Sequence, residues 1–373
     1  MKKTIIVTTA ALMVLAVSCG QSKKNNGEQT PLPAMETTEQ TKVESHVVYA
    51  VGFETLASGR QVATLWIDGE PMRLADEELD SDANSVFVTD DNTIYVAGEI
   101  DVVATLWKIN ENEITSLTLE KPKRYYSELK EAYLNTGSAA YSVFVIPTGD
   151  VYLSGTSDID AVVWTVSGTK ITRQTLSRIE NFDAASAHSI YVTAAGNFYA
   201  AGYQRNYDRQ WFASLWKNGE MYILTEAEQT ANAHDVHVTN EDIVYVAGDA
   251  VISDKQVAVT WKNQKIEPLT CSSDETSACA NAVFVTDNGD VYAAGYEINK
   301  EWNFTAVVWK NNKKQILLND GERTRAESVY VTEQGDVYVA GYKGKTAALW
   351  KNENLQLLTN GSNMAIARCV FVK

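Results

Sequence analysis

The sequence is sparing with the residues that most often carry chemistry. Among its 373 residues are four histidines, four cysteines and six prolines. Their spacing assembles no Ser-His-Asp set, and we find no nucleophile elbow, phosphate-binding loop or dinucleotide fingerprint. From the sequence we therefore assign no catalytic residue, no cofactor and no metal, and a non-enzymatic role is favoured over an enzymatic one.

Positive charge is also in short supply. Lysine and arginine number 32 against 48 aspartates and glutamates, which gives a net charge of −16. Such a chain repels a phosphate backbone, so nucleic acid is excluded as a partner. With 45% hydrophobic residues, the composition is that of a globular protein with material for a large core.

Long apolar runs are absent after the first residues. Lys2 and Lys3 precede an uncharged apolar stretch over 4–17, which is too short to span a bilayer. Small residues then lead to Cys19, an arrangement that resembles a bacterial lipoprotein signal with a relaxed lipobox. The resemblance implies that 1–18 is a signal peptide and that Cys19 is the lipidated, palmitate-bearing residue. The alternative is an ordinary signal peptide or membrane anchor with a chance cysteine.

The segment 19–45 is polar and shows no apolar periodicity, which predicts a flexible tether. Gly20 follows the cysteine, and by resemblance to Gram-negative lipoproteins this favours the outer membrane of the cell envelope over the inner one. The chain would then touch the membrane only through its lipid anchor. Both a periplasmic and a surface-facing orientation are compatible with the sequence.

The rest of the chain, 46–373, consists of one repeat written seven times. Its last copy, Ser328–Asn360, reads SVYVTEQGDVYVAGYKGKTAALWKNENLQLLTN and contains four short β-type runs, which we call A, B, C and D. Seven of the nine tryptophans occupy the same place in run C, namely Trp66, Trp107, Trp164, Trp216, Trp261, Trp309 and Trp350. The glycine of run B recurs in the same way at Gly52, Gly98, Gly155, Gly202, Gly248, Gly295 and Gly341.

Four strands in a step of about 46 residues are typical of a β-propeller blade. We therefore predict an all-β, seven-bladed β-propeller with four antiparallel strands per blade. The repeats open at run B, Val47–Phe53, and stop at run A, Cys369–Lys373. We expect these two runs to pair and close the ring, which leaves no exposed sheet edge, and we expect a monomer.

The unit SVYVTEQGDVYVAGY resembles SBBP-type and NHL-type β-propeller repeats over essentially all of 46–373. The resemblance implies that strand A is the innermost strand of each blade. It implies no reaction, because function lies in loops grafted onto this fold.

Positions that differ between copies are the place to look for function. One such position, just before strand A, is expected to ring the mouth of the central channel; its residues are Asn84, Tyr141, His188, His234, Asn281, Glu327 and Arg368. They form either an asymmetric binding ring or an ordinary rim in which Glu327 and Arg368 pair with each other.

The B-to-C loops share a face with this ring. Those of blades four and six carry the two tryptophans outside the repeat, Trp211 and Trp302. Beside His188, His234 and Asn281 they would supply flat aromatic faces and polar edges, a combination that suits a sugar or a protein loop. The alternative is that each tryptophan packs under its own loop.

Blade two carries an insertion over 121–134, which we predict to be a short helix with Ser127 as its N-cap. It is either a lid or partner-docking element beside Tyr141, or a tolerated surface insertion.

The remaining histidines and cysteines allow few sites. His237 occupies a core aromatic position, and a metal shared by His188 and His234 lacks an obvious third ligand, so none is assigned. Cys271 and Cys279 bracket one D-to-A loop and are a candidate disulfide in an oxidising compartment.

Two functions are left. The leading one is a lipid-anchored extracytoplasmic propeller that binds a glycan or an envelope protein on the face carrying the D-to-A and B-to-C loops. The alternative is a glycan-active hydrolase or lyase with carboxylates on the same face. Its acids would come from Asp208, Asp235, Glu297, Glu301 and Glu327.

Overall fold

The computed structural model describes residues 46–373, apart from 112, 123, 128–131, 136, 181, 226–228, 274–275 and 319. The predicted signal peptide, Cys19 and the tether lie outside the described residues. Side chains of 124–127 and 132–135 are likewise outside the description. No helix in the described part of the chain has the length and apolar character needed to cross a membrane.

Thirty strands make up the described chain. In chain order they are β1 (Val48–Thr55), β2 (Gln61–Ile67), β3 (Glu70–Arg73), β4 (Ser81–Val88), β5 (Ile94–Ile100), β6 (Val103–Asn110), β7 (Glu113–Thr118), β8 (Arg124–Ser127), β9 (Ala132–Asn135), β10 (Ser138–Val145), β11 (Val151–Ser157), β12 (Asp160–Ser167), β13 (Lys170–Thr175), β14 (Phe182–Val192), β15 (Phe198–Asn206), β16 (Trp211–Lys217), β17 (Glu220–Ile223), β18 (Ala231–Val238), β19 (Val244–Ile252), β20 (Lys255–Lys262), β21 (Lys265–Pro268), β22 (Ser277–Val285), β23 (Val291–Ile298), β24 (Phe304–Lys310), β25 (Lys313–Ile316), β26 (Thr324–Val331), β27 (Val337–Lys343), β28 (Thr346–Lys351), β29 (Asn354–Leu357) and β30 (Ala365–Val372).

The strands form seven four-stranded antiparallel sheets, as predicted. Blade 1 combines β1, β2 and β3 with β30, and blades 2 to 7 are β4–β7, β10–β13, β14–β17, β18–β21, β22–β25 and β26–β29. Strand A of each blade contacts strand A of the next, and β30 contacts β4, so the inner strands form a closed cycle. The chain is therefore a seven-bladed β-propeller around a central channel.

The predicted ring closure is confirmed. β30 pairs antiparallel with β1, from Val48 opposite Val372 to Glu54 opposite Ala365. The Lys373 ammonium reaches across to blade 2, where it donates to the carbonyls of Thr89 and Asp90 at 2.7 and 2.8 Å. The first and last described strands therefore lie side by side in one sheet, and the residue after β30 hydrogen-bonds to the next blade.

The core lies between the blades. The seven run-C tryptophans are essentially buried, and each packs among residues of two adjacent blades, as Trp261 does between blades 4 and 5. Burying an aromatic side chain of this size contributes about 4–6 kcal/mol as an upper bound. This repeated interface explains why the tryptophan recurs in every copy.

The predicted helix in the blade-2 insertion is wrong. β8 and β9 form a two-stranded antiparallel hairpin, with Tyr125 opposite Leu134 and Tyr126 opposite Tyr133. Ser127, the predicted N-cap, ends β8 instead. Aromatic residues favour the extended backbone of a strand, and two such runs facing each other can pair without a helix.

Candidate functional site

The seven channel-mouth residues identified from the sequence share one backbone feature. In every strand A the pairing with strand B shifts by one residue, and the unpaired extra residue is the variable one. We call this set the polar ring: Asn84, Tyr141, His188, His234, Asn281, Glu327 and Arg368. All seven side chains are half-buried. A β-bulge redirects a side chain and is common beside functional sites, so the fold presents seven redirected side chains at one mouth.

The repeated glycine of strand B makes the bulge possible. A Cβ on Gly52 would stand 1.8 Å from the Ile366 carbonyl oxygen, and one on Gly202 would stand 1.9 Å from that of Ser186. No side chain fits at such a distance. The glycine that recurs in the sequence is thus required by the close approach of the bulged inner strand.

Asp235 serves this same backbone arrangement. Its carboxylate accepts hydrogen bonds from the Val236 and Val283 N–H groups at 2.9 and 2.8 Å, and from the Ser189 hydroxyl at 2.6 Å. Elsewhere a serine does the same work, as Ser85 does for Val143 N–H at 3.3 Å. Asp235 therefore joins blades rather than facing a ligand.

Arg368 and Glu327 do not pair with each other. Arg368 forms a bidentate ion pair with Asp82, with nitrogen–oxygen distances of 2.8 Å from Nε and 2.6 Å from Nη2 to the same carboxylate oxygen. Glu327 instead pairs with Arg325 at 2.9 Å and accepts a hydrogen bond from Asn281 at 3.1 Å. The Arg368–Asp82 pair spans the closing seam, because β30 and β4 belong to adjacent blades.

One side of the polar ring is aromatic. The His188 ring packs edge-on against Tyr141 and Tyr203, at centroid distances of 5.3 and 5.2 Å, and lies nearly parallel to His234 at 5.9 Å. Burial and the neighbouring His234 charge lower the pKa of His188 to about 3, so it is neutral. Burial, with the charge of Glu99, raises the pKa of Tyr141 to about 12. This sector therefore presents uncharged aromatic and hydroxyl groups at neutral pH.

The adjacent sector is ionic. His234 Nε2 is 2.9 Å from Asp249 Oδ1, and the same oxygen is 3.5 Å from the Cys279 thiol. Burial alone would lower the pKa of His234, but Cys279 and Asp249 raise it to about 10. Burial likewise opposes the Asp249 charge, yet the bond to His234 outweighs it and lowers the Asp249 pKa.

The predicted disulfide is not formed. Cys271 and Cys279 are both free thiols. Cys279 sits on β22, 2% exposed, and its sulfur faces Asp249 and Asn281. Cys271 precedes that strand and packs against the apolar core between blades 5 and 6. The two sulfurs thus belong to different environments.

The two candidate tryptophans differ. Trp211 begins β16 and packs edge-on against Tyr203, with ring centroids 4.4 Å apart, while the Arg205 guanidinium lies 5.4 Å from its ring. Trp302 is 74% exposed in the β23–β24 loop and adopts a φ of +60°. Trp211 thus extends the aromatic sector, whereas Trp302 stands free at the rim.

The candidate acids are dispersed. Glu297 is 3% exposed and accepts hydrogen bonds from the Ser272 N–H at 2.7 Å and from Lys314 at 3.1 Å. Asp208 and Glu301 are exposed in B-to-C loops. Asp235, Glu297 and Glu327 are all held by protein partners, so a catalytic pair would have to be sought elsewhere.

The other end of the channel is almost uniform. Seven aromatic side chains form a closed cycle with centroids 5.0 to 5.3 Å apart: Phe87, Phe144, Tyr191, His237, Phe284, Tyr330 and Phe371. We call this set the aromatic ring. A cavity of about 780 Å³ lies against it, lined by A-to-B turns. We place the candidate site at the polar ring, because its equivalent positions carry different chemistry whereas six of the seven at the aromatic ring are phenylalanine or tyrosine.

Two residues of the ionic sector, Asp249 and Cys279, were not predicted from the sequence. Asp249 directly follows the repeat glycine, where other copies have Phe53, Tyr203 or Tyr296, and Cys279 lies two residues before a polar-ring position. The same rule of looking for differences between copies would have found both. Their proximity to His234 depends on the packing of adjacent blades.

Comparisons with known sequences return no relative. No protein-family model matches the chain, and no curated protein matches it. The resemblance to SBBP-type and NHL-type repeats therefore stays a prediction.

Solved structures resemble the chain at identities that show the fold alone. A protein from Lactobacillus plantarum is 11% identical, with a TM-score of 0.51, over 88% of this chain and 100% of that chain. A polysaccharide lyase of family PL25, an ulvan lyase, is 9% identical, with a TM-score of 0.50, over 87% and 91%. The extracellular domain described for a hybrid two-component system of B. thetaiotaomicron is 10% identical, with a TM-score of 0.45; the match covers 83% of this chain and spans only 34% of that one.

Proposed function

We propose that this chain is a lipid-anchored β-propeller of the cell envelope that binds a glycan at the polar ring. The observation that carries the proposal is the set of seven bulged positions, which carry five different residue types. A scaffold that repeats its core in every blade but varies these side chains can make an asymmetric site. An envelope protein is the alternative occupant.

The charges of the ring favour a neutral glycan. The cationic groups of the ring, Arg368 and His234, and the adjacent Arg325 each form an ion pair with a neighbouring acid. A glycan carboxylate or sulfate would have to compete with those acids. Sugar hydroxyls, in contrast, can bond to amides and hydroxyls such as Asn281 and Tyr141, while apolar sugar faces stack on aromatic rings.

The likeness to solved propellers supports a saccharide ligand. The ulvan lyase, whose TM-score is 0.50, was also solved bound to a GlcA-Rha3S repeat. That ligand is anionic, whereas the cations of this ring are already paired, so we propose a neutral ligand and binding rather than lyase chemistry. The engagement of Asp235, Glu297 and Glu327 by protein partners points the same way.

The test is a glycan-array screen of the purified full chain beside a Trp211→Ala, Trp302→Ala double variant. We expect at least one neutral glycan to bind the wild-type chain and to bind the double variant about tenfold or more weakly, since stacking faces are lost. Leu357→Ala is the matched control, because Leu357 is an exposed apolar residue on β29. The control should bind like the wild type.

Two results would overturn the glycan proposal: no glycan binds, or a bound glycan keeps its affinity in the double variant. Recovery of an envelope protein by the wild-type chain but not by the double variant would favour the alternative occupant. The anchor is tested separately, since Cys19→Ser should move the chain from the membrane fraction to the soluble fraction. Retention of that variant in the membrane would contradict lipidation at Cys19.

A further inference from the structure

Three side chains on the channel wall bring a nitrogen, an oxygen and a sulfur to one point. His234 comes from β18, Asp249 from β19 of the same blade, and Cys279 from β22 of the next blade. Their donor atoms all lie within 4.8 Å of one another. The carboxylate oxygen sits between the other two, 2.9 Å from the imidazole nitrogen and 3.5 Å from the sulfur.

We propose that His234, Asp249 and Cys279 bind a Zn²⁺ ion, with a fourth coordination position facing the channel. Tetrahedral Zn²⁺ with bonds of about 2.0–2.3 Å places its donor atoms about 3.3–3.6 Å apart. The sulfur–oxygen separation lies in this range, and the nitrogen–oxygen separation needs to open by only a few tenths of an ångström. This inference goes beyond glycan binding and does not rest on it.

The donor set suits zinc in kind and in charge. Thiolate and imidazole bind Zn²⁺, whereas magnesium and calcium take oxygen ligands. Carboxylate, supplied here by Asp249, is also a known type of Zn²⁺ ligand. A thiolate and a carboxylate together carry two negative charges, which balance the ion. Asp249 and Cys279 are 5% and 2% exposed, so this balance matters: an uncompensated charge would be costly at such depth.

Outer contacts hold the ligands in place. Asn232 donates to Asp249 Oδ2 at 3.4 Å, which leaves Oδ1 directed at His234 and Cys279. The His188 ring lies nearly parallel to the His234 ring, with centroids 5.9 Å apart. Such second contacts fix the orientation of metal ligands and commonly decide metal affinity.

The fourth position opens towards the mouth of the channel. The His234 side chain is 25% exposed, and Asn281 Oδ1 stands 3.4 Å from the Cys279 sulfur. Three protein ligands with one open position are the composition of zinc sites that accept water or a substrate atom. An amide oxygen, a water molecule or a ligand hydroxyl can fill it.

A proton-relay triad is a poorer account of the same residues. In a Cys-His-Asp relay the imidazole stands between the thiol and the carboxylate, with one nitrogen facing each. Here the oxygen that bonds His234 Nε2 also lies against the Cys279 sulfur. The three groups converge on a point, as metal ligands do.

The nearby Arg325 guanidinium does not strongly repel the proposed Zn²⁺ ion. The Arg325 guanidinium lies 4.4 Å from the Tyr296 ring centroid and pairs with Glu327 at 2.9 Å. Its charge is therefore compensated within the polar ring before a metal is added.

The test uses the full chain freed of metal and titrated with Zn²⁺ and Co²⁺. We expect one Zn²⁺ per chain by native mass spectrometry, and a thiolate-to-metal charge-transfer band when Co²⁺ is added. Cys279→Ser should abolish the band, and both Cys279→Ser and Asp249→Asn should weaken Zn²⁺ binding by about 100-fold or more. The matched control is a Cys271→Ser, Cys369→Ser double variant, whose remaining described thiol is Cys279.

The control variant should keep both the stoichiometry and the charge-transfer band. The proposal is wrong if the metal-free wild type takes up no Zn²⁺, if Co²⁺ produces no charge-transfer band, or if the band survives in Cys279→Ser. It is equally wrong if the control variant loses the band. The wild-type and control proteins both keep the three proposed ligands. Their results therefore test the proposal even if a ligand variant misfolds.

Discussion

The two ends of the channel are built from the same seven strands but obey different rules. At the aromatic ring, six of seven positions hold phenylalanine or tyrosine, and the rings form an unbroken cycle. Three residues earlier on each strand, at the polar ring, the seven positions hold five residue types on a bulged backbone. Equivalent positions that hold the same kind of residue serve packing that every blade needs. Equivalent positions that differ can instead form a single site on the whole molecule.

The A-to-B turns and the β23–β24 turn differ in the residue that takes the positive φ. At the aromatic end, four A-to-B turns use glycine at the positive-φ position, Gly149, Gly196, Gly289 and Gly335, and two use Asn92 and Asp242. At the polar end, the β23–β24 turn places Trp302 at a φ of +60°, although Gly59 fills the equivalent place in blade 1. A bulky side chain in this conformation costs about 1 kcal/mol or more. The A-to-B turns fill the corresponding position with glycine, asparagine or aspartate, which tolerate a positive φ, so the Trp302 turn carries a cost that those turns avoid.

The largest effect should come from removing one member of each ring together. Deletion of 368–373 removes Arg368 and Phe371, unpairs Val48–Val51 of β1 and leaves the half-buried Asp82 carboxylate without its partner. We expect loss of cooperative thermal unfolding, because the deletion removes most of the inner strand that joins blade 1 to both neighbouring blades, and total stability is typically only about 5–15 kcal/mol. Lys373→Met, which removes only the contact to the Thr89 turn, is the control and should still unfold cooperatively. A wild-type transition in the deletion variant would contradict closure by β30.

A smaller effect should follow from making the aromatic ring uniform. Burial lowers the pKa of His237 from 6.5 to about 4, so the folded state holds it neutral. This contribution is present above pH 6.5 and is lost as the pH falls towards 4, because the unfolded state takes up the proton first. The wild type should therefore lose about 2 kcal/mol more free energy of unfolding than His237→Phe when the pH is lowered from 8 to 5. Urea unfolding at both pH values measures it; a difference independent of pH would contradict a neutral buried His237.

The smallest effect should come from relieving the strain at the polar end. Trp302→Gly places the residue that a positive φ favours in the β23–β24 turn, and we expect the free energy of unfolding to rise by about 1 kcal/mol. Chemical denaturation of the two proteins gives the difference. Arg209 has a φ of +64° at the corresponding turn of blade 4, and Arg209→Gly should likewise raise the free energy of unfolding by about 1 kcal/mol. A marked loss of stability in Trp302→Gly alone would mean that the indole supports its blade.

The sequence was sufficient for the features that every blade repeats. Strand alternation, the recurrent tryptophan and the recurrent glycine predicted seven blades and their closure, because each reflects a local rule applied seven times. The positions of the polar ring followed from the same comparison of copies.

Features that depend on one particular contact were not predictable in this way. The insertion was predicted as a helix from its residues taken alone, whereas the backbone pairs as a hairpin with Tyr125 opposite Leu134. One alternative from the sequence paired Arg368 with Glu327, its neighbour in the ring, but the Arg368 guanidinium bonds to Asp82 on the next blade at 2.6 Å. The meeting of His234 with Cys279 likewise depends on how two blades pack.

The closure of blade 1 also sets the order in which the molecule can be completed. Blades 2 to 7 each draw their four strands from one continuous stretch, so each can form as soon as that stretch is available. Blade 1 must hold β1, β2 and β3 with an unpaired inner edge until six other blades have been made and β30 arrives. A chain released early would expose that edge, which invites aggregation or proteolysis. The final pairing thus acts as a check on length: only a chain that extends through β30 reaches the closed state.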